Sequence, residues 1–270
     1  MTLVTHPIPN RIAIAFDLDD TLMPSTYDSL LKALDLDPQA FRRDRYRPLL
    51  DQGWESIPAK CFTLVDESRR RPAGQKITRE FIETFSATLD PFPGVDVMFD
   101  RLKQTAKAIV PDIEVEFYLI TSGMVQVARH TRIAKHFTHM WGCEFHFDVS
   151  GEVCCLKRSL TYSEKPRYLY YLSKGGEART RDRDITFVYD DIAPEDLHVP
   201  LECVIYVGDG TSDLPCFAML NQRGGTSIGV LKAGQTATEW QRDRQVSPGQ
   251  RIFNLAPPDY SERSELMQSL

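Results

Sequence analysis

Short apolar runs that end at polar clusters constrain the fold of this chain more than any other sequence feature. They occupy residues 12–16, 115–120, 204–207 and 227–231. A continuous apolar run of this length is typical of a strand buried on both faces, as in a parallel sheet. Helical patterns at residues 95–108 and 166–173 lie between these runs. Strands that alternate with helices predict an α/β fold with a doubly wound, Rossmann-like parallel sheet.

One long segment interrupts the alternation. Residues 25–88 have helical patterns throughout and contain no strand-like run. The segment closes with the turn-rich sequence Asp-Pro-Phe-Pro-Gly at residues 90–94, which is typical of a hinge. We therefore expect a helical domain at residues 23–92, inserted after the first strand into a core domain of residues 1–22 and 93–270.

Three segments are rich in charge. Residues 42–47 and 69–71 of the helical insert are arginine-rich, and a solvated helix face is favoured over a grip on an anionic substrate. Residues 177–200 are rich in Arg and Asp around a strand-like run at residues 185–189. That last segment is either an excursion from the fold or an extra hairpin, and the pattern does not decide between the two.

Composition excludes several classes of function. The 32 basic and 38 acidic residues give a net charge of −6, the opposite sign from a protein that coats nucleic acid, so no nucleic-acid partner is expected. The start of the chain lacks a signal-peptide pattern and no apolar run could cross a bilayer, so no membrane partner is expected. The six cysteines form no C-x-x-C motif, which is typical of free thiols in a reducing cytoplasm.

Carboxylates follow two of the predicted strands directly. Asp17 and Asp19 come after the first run, and Asp209 and Asp213 come after the run at residues 204–207. Ligands of open parallel sheets bind at the carboxyl ends of the strands, so these side chains lie where chemistry is expected. Asp17, Asp19 and Asp209 would make an oxygen-rich site suited to Mg²⁺, which takes one or two carboxylates with waters and substrate phosphate.

Four motifs in this order carry a resemblance to a known family. They are D-L-D-D-T at residues 17–21, L-I-T-S-G at 119–123, Lys165, and G-D-G-T-S-D at 208–213. The chain resembles the haloacid dehalogenase (HAD) superfamily, in its D-x-D-x-T phosphatase branch near phosphoserine phosphatase. The resemblance extends from residue 12 to about residue 230, and it implies an α/β core with an inserted α-helical cap of the C1 type.

The resemblance implies a role for each carboxylate. Asp17 looks like a nucleophile that forms an aspartyl-phosphate, and Asp19 looks like the general acid and base. Mg²⁺ would be held by Asp17, the backbone carbonyl of Asp19 and Asp209, while Asp213 would support the waters on the metal. The implied function is Mg²⁺-dependent hydrolysis of a small phosphomonoester, and the implied partner is a small phosphorylated metabolite.

The resemblance also implies a phosphate-binding set. Thr121 matches the family's phosphate-binding hydroxyl, with Ser122 as the alternative, and either side chain could instead cap the following helix. Lys165 matches the lysine that neutralises the phosphate, and Lys157 is its rival. The helical insert would open to admit substrate and close to exclude water.

Particular residues argue for or against other functions. Asp19 argues against a dehalogenase, because a departing halide needs no acid. A phosphomutase keeps the second aspartate, usually without Thr21, and stays as an alternative beside a non-catalytic sensor of a phosphorylated ligand. A G-x-S-x-G pattern at residues 225–229 does not indicate a serine hydrolase, since the last histidine, His198, precedes the serine. The identity of the substrate and the oligomeric state stay open.

Overall fold

The computed structural model describes residues 10–175, 185–232, 234–244 and 252–270. Within these ranges seven strands form one sheet in the spatial order β4-β3-β2-β1-β5-β6-β7. The strands are β1 (Arg11–Phe16), β2 (Glu114–Met124), β3 (His139–Phe147), β4 (Val153–Arg158), β5 (Val204–Gly208), β6 (Thr226–Val230) and β7 (Asn254–Ala256). Neighbouring strands pair in parallel except β3 and β4, which form an antiparallel hairpin at one edge. The predicted doubly wound sheet is confirmed.

The chain fills this sheet in two directions. From β1 it moves outward through β2 and β3 to β4, and it then returns to the other side of β1 and continues through β5, β6 and β7. The strand order therefore reverses between β1 and β5, where Phe16 pairs with Val207. A crevice opens beyond the carboxyl ends of the strands at such a reversal, and ligands of α/β sheets bind there.

Both faces of the sheet are buried, as the continuous apolar runs predicted. In β1, Ala13 and Ala15 belong to one hydrophobic cluster, and Ile14 and Phe16 belong to a second. Successive side chains of a strand point to opposite faces, so the two clusters lie on the two sides of the sheet. Burial on both sides fixes the register of the central strand, because a shift of one residue would exchange the two sets of side chains.

Eleven α-helices lie in the described part of the chain, and six of them separate β1 from β2. They are α1 (Thr26–Ala33), α2 (Pro38–Phe41), α3 (Arg47–Asp51), α4 (Ser56–Arg70), α5 (Arg79–Ala87), α6 (Val95–Ile109), α7 (Val125–Arg129), α8 (Lys165–Ser173), α9 (Leu214–Arg223), α10 (Ala237–Arg244) and α11 (Glu265–Ser269). The predicted helices at residues 95–108 and 166–173 are α6 and α8. None of the described helices is long and apolar enough to cross a bilayer.

The helical segment between β1 and α6 contacts the rest of the chain at several places, two of which show how the sequence fixes it. Near its end, the amide of Arg79 donates to the carbonyl of Gly151, and the amide of Val153 donates to Ile77, so the segment pairs with the β3–β4 hairpin. At its exit, Gly94 has φ +82°, and a Cβ there would lie 2.2 Å from the carbonyl carbon of Tyr260. Only glycine tolerates both the left-handed backbone and that close approach.

The strand-like run at residues 185–189 forms no strand, so this part of the open segment is not one arm of a hairpin. Ile185–Tyr189 forms a 3₁₀ helix, while residues 177–184 lie outside the described part of the chain. The ring of Phe187 is buried and stacks on Tyr171 of α8, with the ring centroids 5.9 Å apart. The ammonium of Lys174 donates to the carbonyl of Val188 at 2.6 Å. A run of β-branched and aromatic residues usually packs within a sheet. Here the run packs against α8 instead, and the ammonium of Lys174 satisfies one of its carbonyl groups.

Candidate active site

Three carboxylates meet at the reversal between β1 and β5. Asp17 follows β1 and its amide donates to the carbonyl of Val207 at 2.9 Å, while Asp209 follows β5 directly. Carboxylate oxygens of Asp17, Asp209 and Asp213 all lie within 4.8 Å of one another, and all three side chains are buried. The sheet topology thus brings together residues that are almost 200 positions apart in the sequence.

Asp213 is held by hydrogen bonds on both of its oxygens. Its Oδ2 accepts from the amide of Gly210 at 3.0 Å, and its Oδ1 accepts from the hydroxyl of Tyr206 at 2.7 Å. A Cβ on Gly208 would lie 2.4 Å from the Cγ of Asp213, so the strand must end in glycine for this carboxylate to fit. Asp213 is therefore fixed in position before any ligand arrives.

Lys165 contributes a buried ammonium group to this cluster. It stands at the first position of α8 and is completely buried. Its Nζ lies 2.7 Å from Oδ1 of Asp213 and 3.0 Å from Oδ1 of Asp17, and it donates to Oγ of Ser212 at 3.2 Å. The rival Lys157 lies on the surface, with 59% of its side chain exposed, 3.4 Å from Glu144. The structure places Lys165 beside the carboxylates, and Lys157 outside.

The cluster holds more negative charge than Lys165 balances. Burial raises the pKa of Asp17 well above its usual range, although the ammonium of Lys165 opposes the rise. Burial, with Asp213 nearby, raises the pKa of Asp209 to about 7. Oδ1 of Asp17 is buried and accepts no hydrogen bond, although it forms an ion pair with Lys165 at 3.0 Å. Crowded, buried carboxylate oxygens of this kind fit a hard divalent cation such as Mg²⁺.

Asp19 lies outside that trio. Its Oδ1 accepts from the amide of Thr26, the first residue of α1, at 2.5 Å. A Cβ on Gly123 would lie 2.6 Å from its Oδ2, so the glycine leaves room for this carboxylate. Burial raises the pKa of Asp19 above its usual value. A carboxyl group of this kind keeps its proton to a higher pH than an exposed one, as a general acid requires.

The two candidate hydroxyls lie at the end of β2. Oγ1 of Thr121 accepts from the amide of Gly123 at 2.9 Å, whereas Oγ of Ser122 is buried without a hydrogen-bond partner. Neither side chain caps the following helix, because α7 begins after Met124 and has no side-chain cap. The capping alternative is therefore wrong, and both hydroxyls line the same cavity as Asp17 and Asp19.

That cavity has a volume of about 310 Å³ and opens above the carboxylates. A volume of this size suits a small organic molecule. Part of its wall comes from the helical segment and includes residues that the sequence did not single out. They are Tyr27, Ile57, Lys60, Cys61 and Leu64.

The arginine run at residues 42–47 divides between cavity and surface. Arg43 and Arg47 are exposed and pair with Asp44 and Asp51 close to them in the chain, as a solvated face predicts, whereas Arg45 is half-buried and pairs with Asp66 of α4. Arg42 instead lines the cavity and is paired with Asp28. Arg42 thus differs from the rest of the run, because its partly exposed side chain borders the cavity.

Lys232 is another residue that the sequence analysis missed. Its ammonium lies 2.8 Å from Oδ2 of Asp20 and 3.6 Å from Oδ2 of Asp209. The signal was weak, because Lys232 follows a predicted strand at the same edge as the carboxylates but belongs to none of the four motifs.

Comparisons with known proteins identify the fold. No protein-family model matches the chain. It is 23% identical over 236 residues to an uncharacterised protein of Borreliella burgdorferi, covering 78% of this chain and 79% of that one. It also matches the structure of a HAD-family hydrolase from Salmonella enterica serovar Typhi, with 14% identity and a TM-score of 0.53. That match covers 82% of this chain and 62% of the Salmonella chain.

A phosphoserine phosphatase, solved as an analogue of its phospho-aspartyl intermediate, resembles the chain over a greater length. The identity is 12% and the TM-score 0.53, with 96% of each chain covered. At such identities the likeness concerns the fold. The chain has the fold of the HAD hydrolases, and the predicted fold class is confirmed.

Proposed function

We propose that the protein is a phosphatase that hydrolyses a small phosphomonoester in the presence of Mg²⁺, through an aspartyl-phosphate on Asp17. The observation that carries the proposal is the buried cluster of Asp17, Asp209 and Asp213 around Lys165, from which Asp17 and Asp209 line a cavity together with Asp19. The HAD fold supports the same chemistry. Asp19 favours phosphate transfer over dehalogenation, since an alkoxide leaving group needs a proton.

The first half of the reaction would use both aspartates after β1. A carboxylate oxygen of Asp17 attacks phosphorus and the bond from phosphorus to the ester oxygen breaks. Asp19 gives its proton to the departing alkoxide, which leaves as an alcohol. In the second half, Asp19 takes a proton from water as the water oxygen attacks phosphorus, and inorganic phosphate leaves with Asp17 restored. The raised pKa of Asp19 suits the first of these proton transfers.

Residues in fixed positions would neutralise the negative charge of the reacting phosphoryl group. Asp17, the backbone carbonyl of Asp19 and Asp209 would hold Mg²⁺, and Asp213 would support its waters. When bound, the metal supplies a Lewis acid that neutralises charge on the phosphoryl oxygens. Lys165 adds a fixed positive charge beside the attacking oxygen, and the hydroxyl of Thr121 or Ser122 would donate to the phosphate.

The helical segment would serve as the cap of the active site. We assign residues 23–92 to a cap domain and residues 1–22 and 93–270 to the core, because the segment leaves the core after β1 and walls the cavity. In this role it would exclude water during transfer. We further propose a cytoplasmic location, since all six cysteines are free.

Hydrolysis of p-nitrophenyl phosphate tests the proposal. We expect phosphate release that requires Mg²⁺ and stops in excess EDTA, with Asp17→Asn as the inactive control. Undiminished turnover in EDTA would contradict the metal requirement. Tight binding of phosphorylated ligands without any turnover would instead support a sensor.

A further inference from the structure

Two cations lie against one aromatic ring in the cap wall of the cavity. The guanidinium carbon of Arg42 lies 5.9 Å from the ring centroid of Tyr27, and Nζ of Lys60 lies 5.8 Å from the same point. All three side chains line the cavity. The ring holds the two charges within one small region of the wall, because each is attracted to its π-face.

Only one of these cations has an anionic partner. Arg42 forms an ion pair with Asp28 of α1. Within the described ranges, no carboxylate lies within 4 Å of the ammonium of Lys60. Lys60 is half-buried in α4, where its backbone carbonyl accepts from Thr63. The cap wall therefore carries one uncompensated positive charge that faces the cavity.

That charge is distinct from the one at the carboxylate cluster. Lys165 pairs with Asp17 and Asp213 in the carboxylate cluster. The charge of Lys60 lowers the pKa of Asp19, which opposes the rise caused by burial, yet the two groups form no ion pair. Asp19 instead accepts from the amide of Thr26.

Some apolar side chains line the cavity together with this cation. Ile57 and Leu64 of α4 and Met124 at the end of β2 line the cavity with Lys60. These side chains suit a short carbon skeleton, whereas a partly desolvated ammonium suits an anion. A volume of about 310 Å³ leaves room for both in a small molecule.

From this arrangement we infer that the substrate carries a second anionic group, a carboxylate or a second phosphate, remote from the reacting phosphate and bound by Lys60. The ring of Tyr27 attracts the ammonium and helps to position it. This inference rests on the proposed phosphatase function. It goes further by naming the chemical class of the substrate and the residue that selects it.

Matched pairs of esters test the inference. Each pair has one carbon skeleton, with a carboxylate in one member and a primary alcohol in the other. The pairs are phosphoglycolate with ethylene glycol phosphate, 3-phosphoglycerate with glycerol 3-phosphate, and 6-phosphogluconate with sorbitol 6-phosphate. We expect kcat/KM to favour the acid in at least one pair by tenfold or more. Propane-1,3-diol bisphosphate against its monophosphate distinguishes a second phosphate from a carboxylate.

Variants of Lys60 assign the preference to that side chain. Lys60→Met should lower the acid-to-alcohol ratio of kcat/KM at least tenfold, chiefly through a higher KM for the acid. Lys60→Arg should retain most of the ratio, which shows that charge rather than folding is responsible. Lys32→Met is the matched control, because Lys32 is an exposed lysine of the same helical segment outside the cavity.

The possible outcomes separate the inference from the proposed function. Failure to hydrolyse any ester, including p-nitrophenyl phosphate, would overturn the proposed function. Turnover of p-nitrophenyl phosphate with no preference for a second anion in any pair would overturn the inference alone. An equal loss on both members of a pair in Lys60→Met would assign Lys60 to the reacting phosphate, and this would overturn the inference as well.

Discussion

The charged side chains of the cavity floor, where the carboxylates lie, differ in burial from those of the cap wall, which carries Tyr27, Arg42 and Lys60. On the floor, Asp17, Asp213 and Lys165 are almost completely buried, and each is held by the end of a strand or helix of the sheet domain. On the wall, Lys60 and Arg42 are half-buried and lie on helices of the inserted segment. A rigid, dry site suits chemistry that depends on position, whereas a more exposed wall can change without disturbing that chemistry. In the proposed function, the floor would set the reaction type and the wall would set the choice of substrate.

The largest effect should come from the floor. We expect Asp17→Asn to lower kcat by about 10⁴-fold or more on every substrate, because a carboxamide is a poor nucleophile toward phosphorus. Steady-state assays on two unrelated phosphomonoesters would measure it. Activity that survives on one of them would show that the floor does not act alone, and the division between floor and wall would fail.

Asp19 should give a smaller effect that depends on the leaving group. Asp19→Asn removes the acid and base but leaves the nucleophile, for which a loss of about 10²–10⁴-fold is typical. The loss in the transfer step should be smaller with p-nitrophenyl phosphate, whose leaving group needs no proton. Rapid-quench kinetics with this ester and an alkyl phosphate would show the difference. Equal losses of the transfer rate on both esters would argue against the acid role.

The two lysines provide a matched test of position. Lys165→Ala should lower kcat by about 10²–10³-fold, the typical cost of losing one preorganised charge at the reacting group. Lys157→Ala should stay near the wild-type rate, since that side chain lies on the surface. Melting curves would check that Lys165→Ala still folds. A greater loss in Lys157→Ala would mean that the structure's placement of the floor is wrong.

The smallest effect concerns pH. The folded chain binds the proton of Asp209 up to about pH 7, whereas the unfolded chain releases it near the ordinary pKa of 3.8. Stability of the metal-free protein should therefore fall as pH rises from about 4 to about 7, because the folded state binds more protons in this window.

Mg²⁺ should reverse that loss, since it binds the deprotonated carboxylates. We expect Mg²⁺ to raise Tm more at pH 8 than at pH 5, and Asp209→Asn should show a weaker pH dependence. Scanning fluorimetry would measure both. An equal effect of Mg²⁺ at the two pH values would contradict the pKa assigned to Asp209.

The floor could be predicted from the sequence because its residues follow recognisable strands. The runs before Asp17 and Asp209 are continuous and apolar, and both indicate buried parallel strands. The prediction of Lys165 rests on the family resemblance, which favours it over Lys157. The fold of the sheet domain followed from the same runs.

The edge hairpin and the cap wall could not be predicted in this way. Strand β3 begins with a histidine and contains Gly142 and Glu144, so it has neither a continuous nor an alternating apolar pattern. Glu144 is buried, and its charge is balanced by Arg129 at 2.8 Å. On the wall, Tyr27 and Lys60 are brought together by the packing of α1 and α4. No local sequence pattern indicates the contact between these two residues.

Trapping the covalent intermediate tests the central claim most directly. In Asp19→Asn, water is no longer activated, so the aspartyl-phosphate should accumulate during turnover with Mg²⁺ and p-nitrophenyl phosphate. Acid quenching followed by peptide mass spectrometry would locate the phosphoryl group. We expect it on Asp17, with Asp17→Asn as the unlabelled control. An adduct on Asp19 in the unmodified protein, or no aspartyl adduct under steady turnover, would contradict the assignment of Asp17 as the nucleophile.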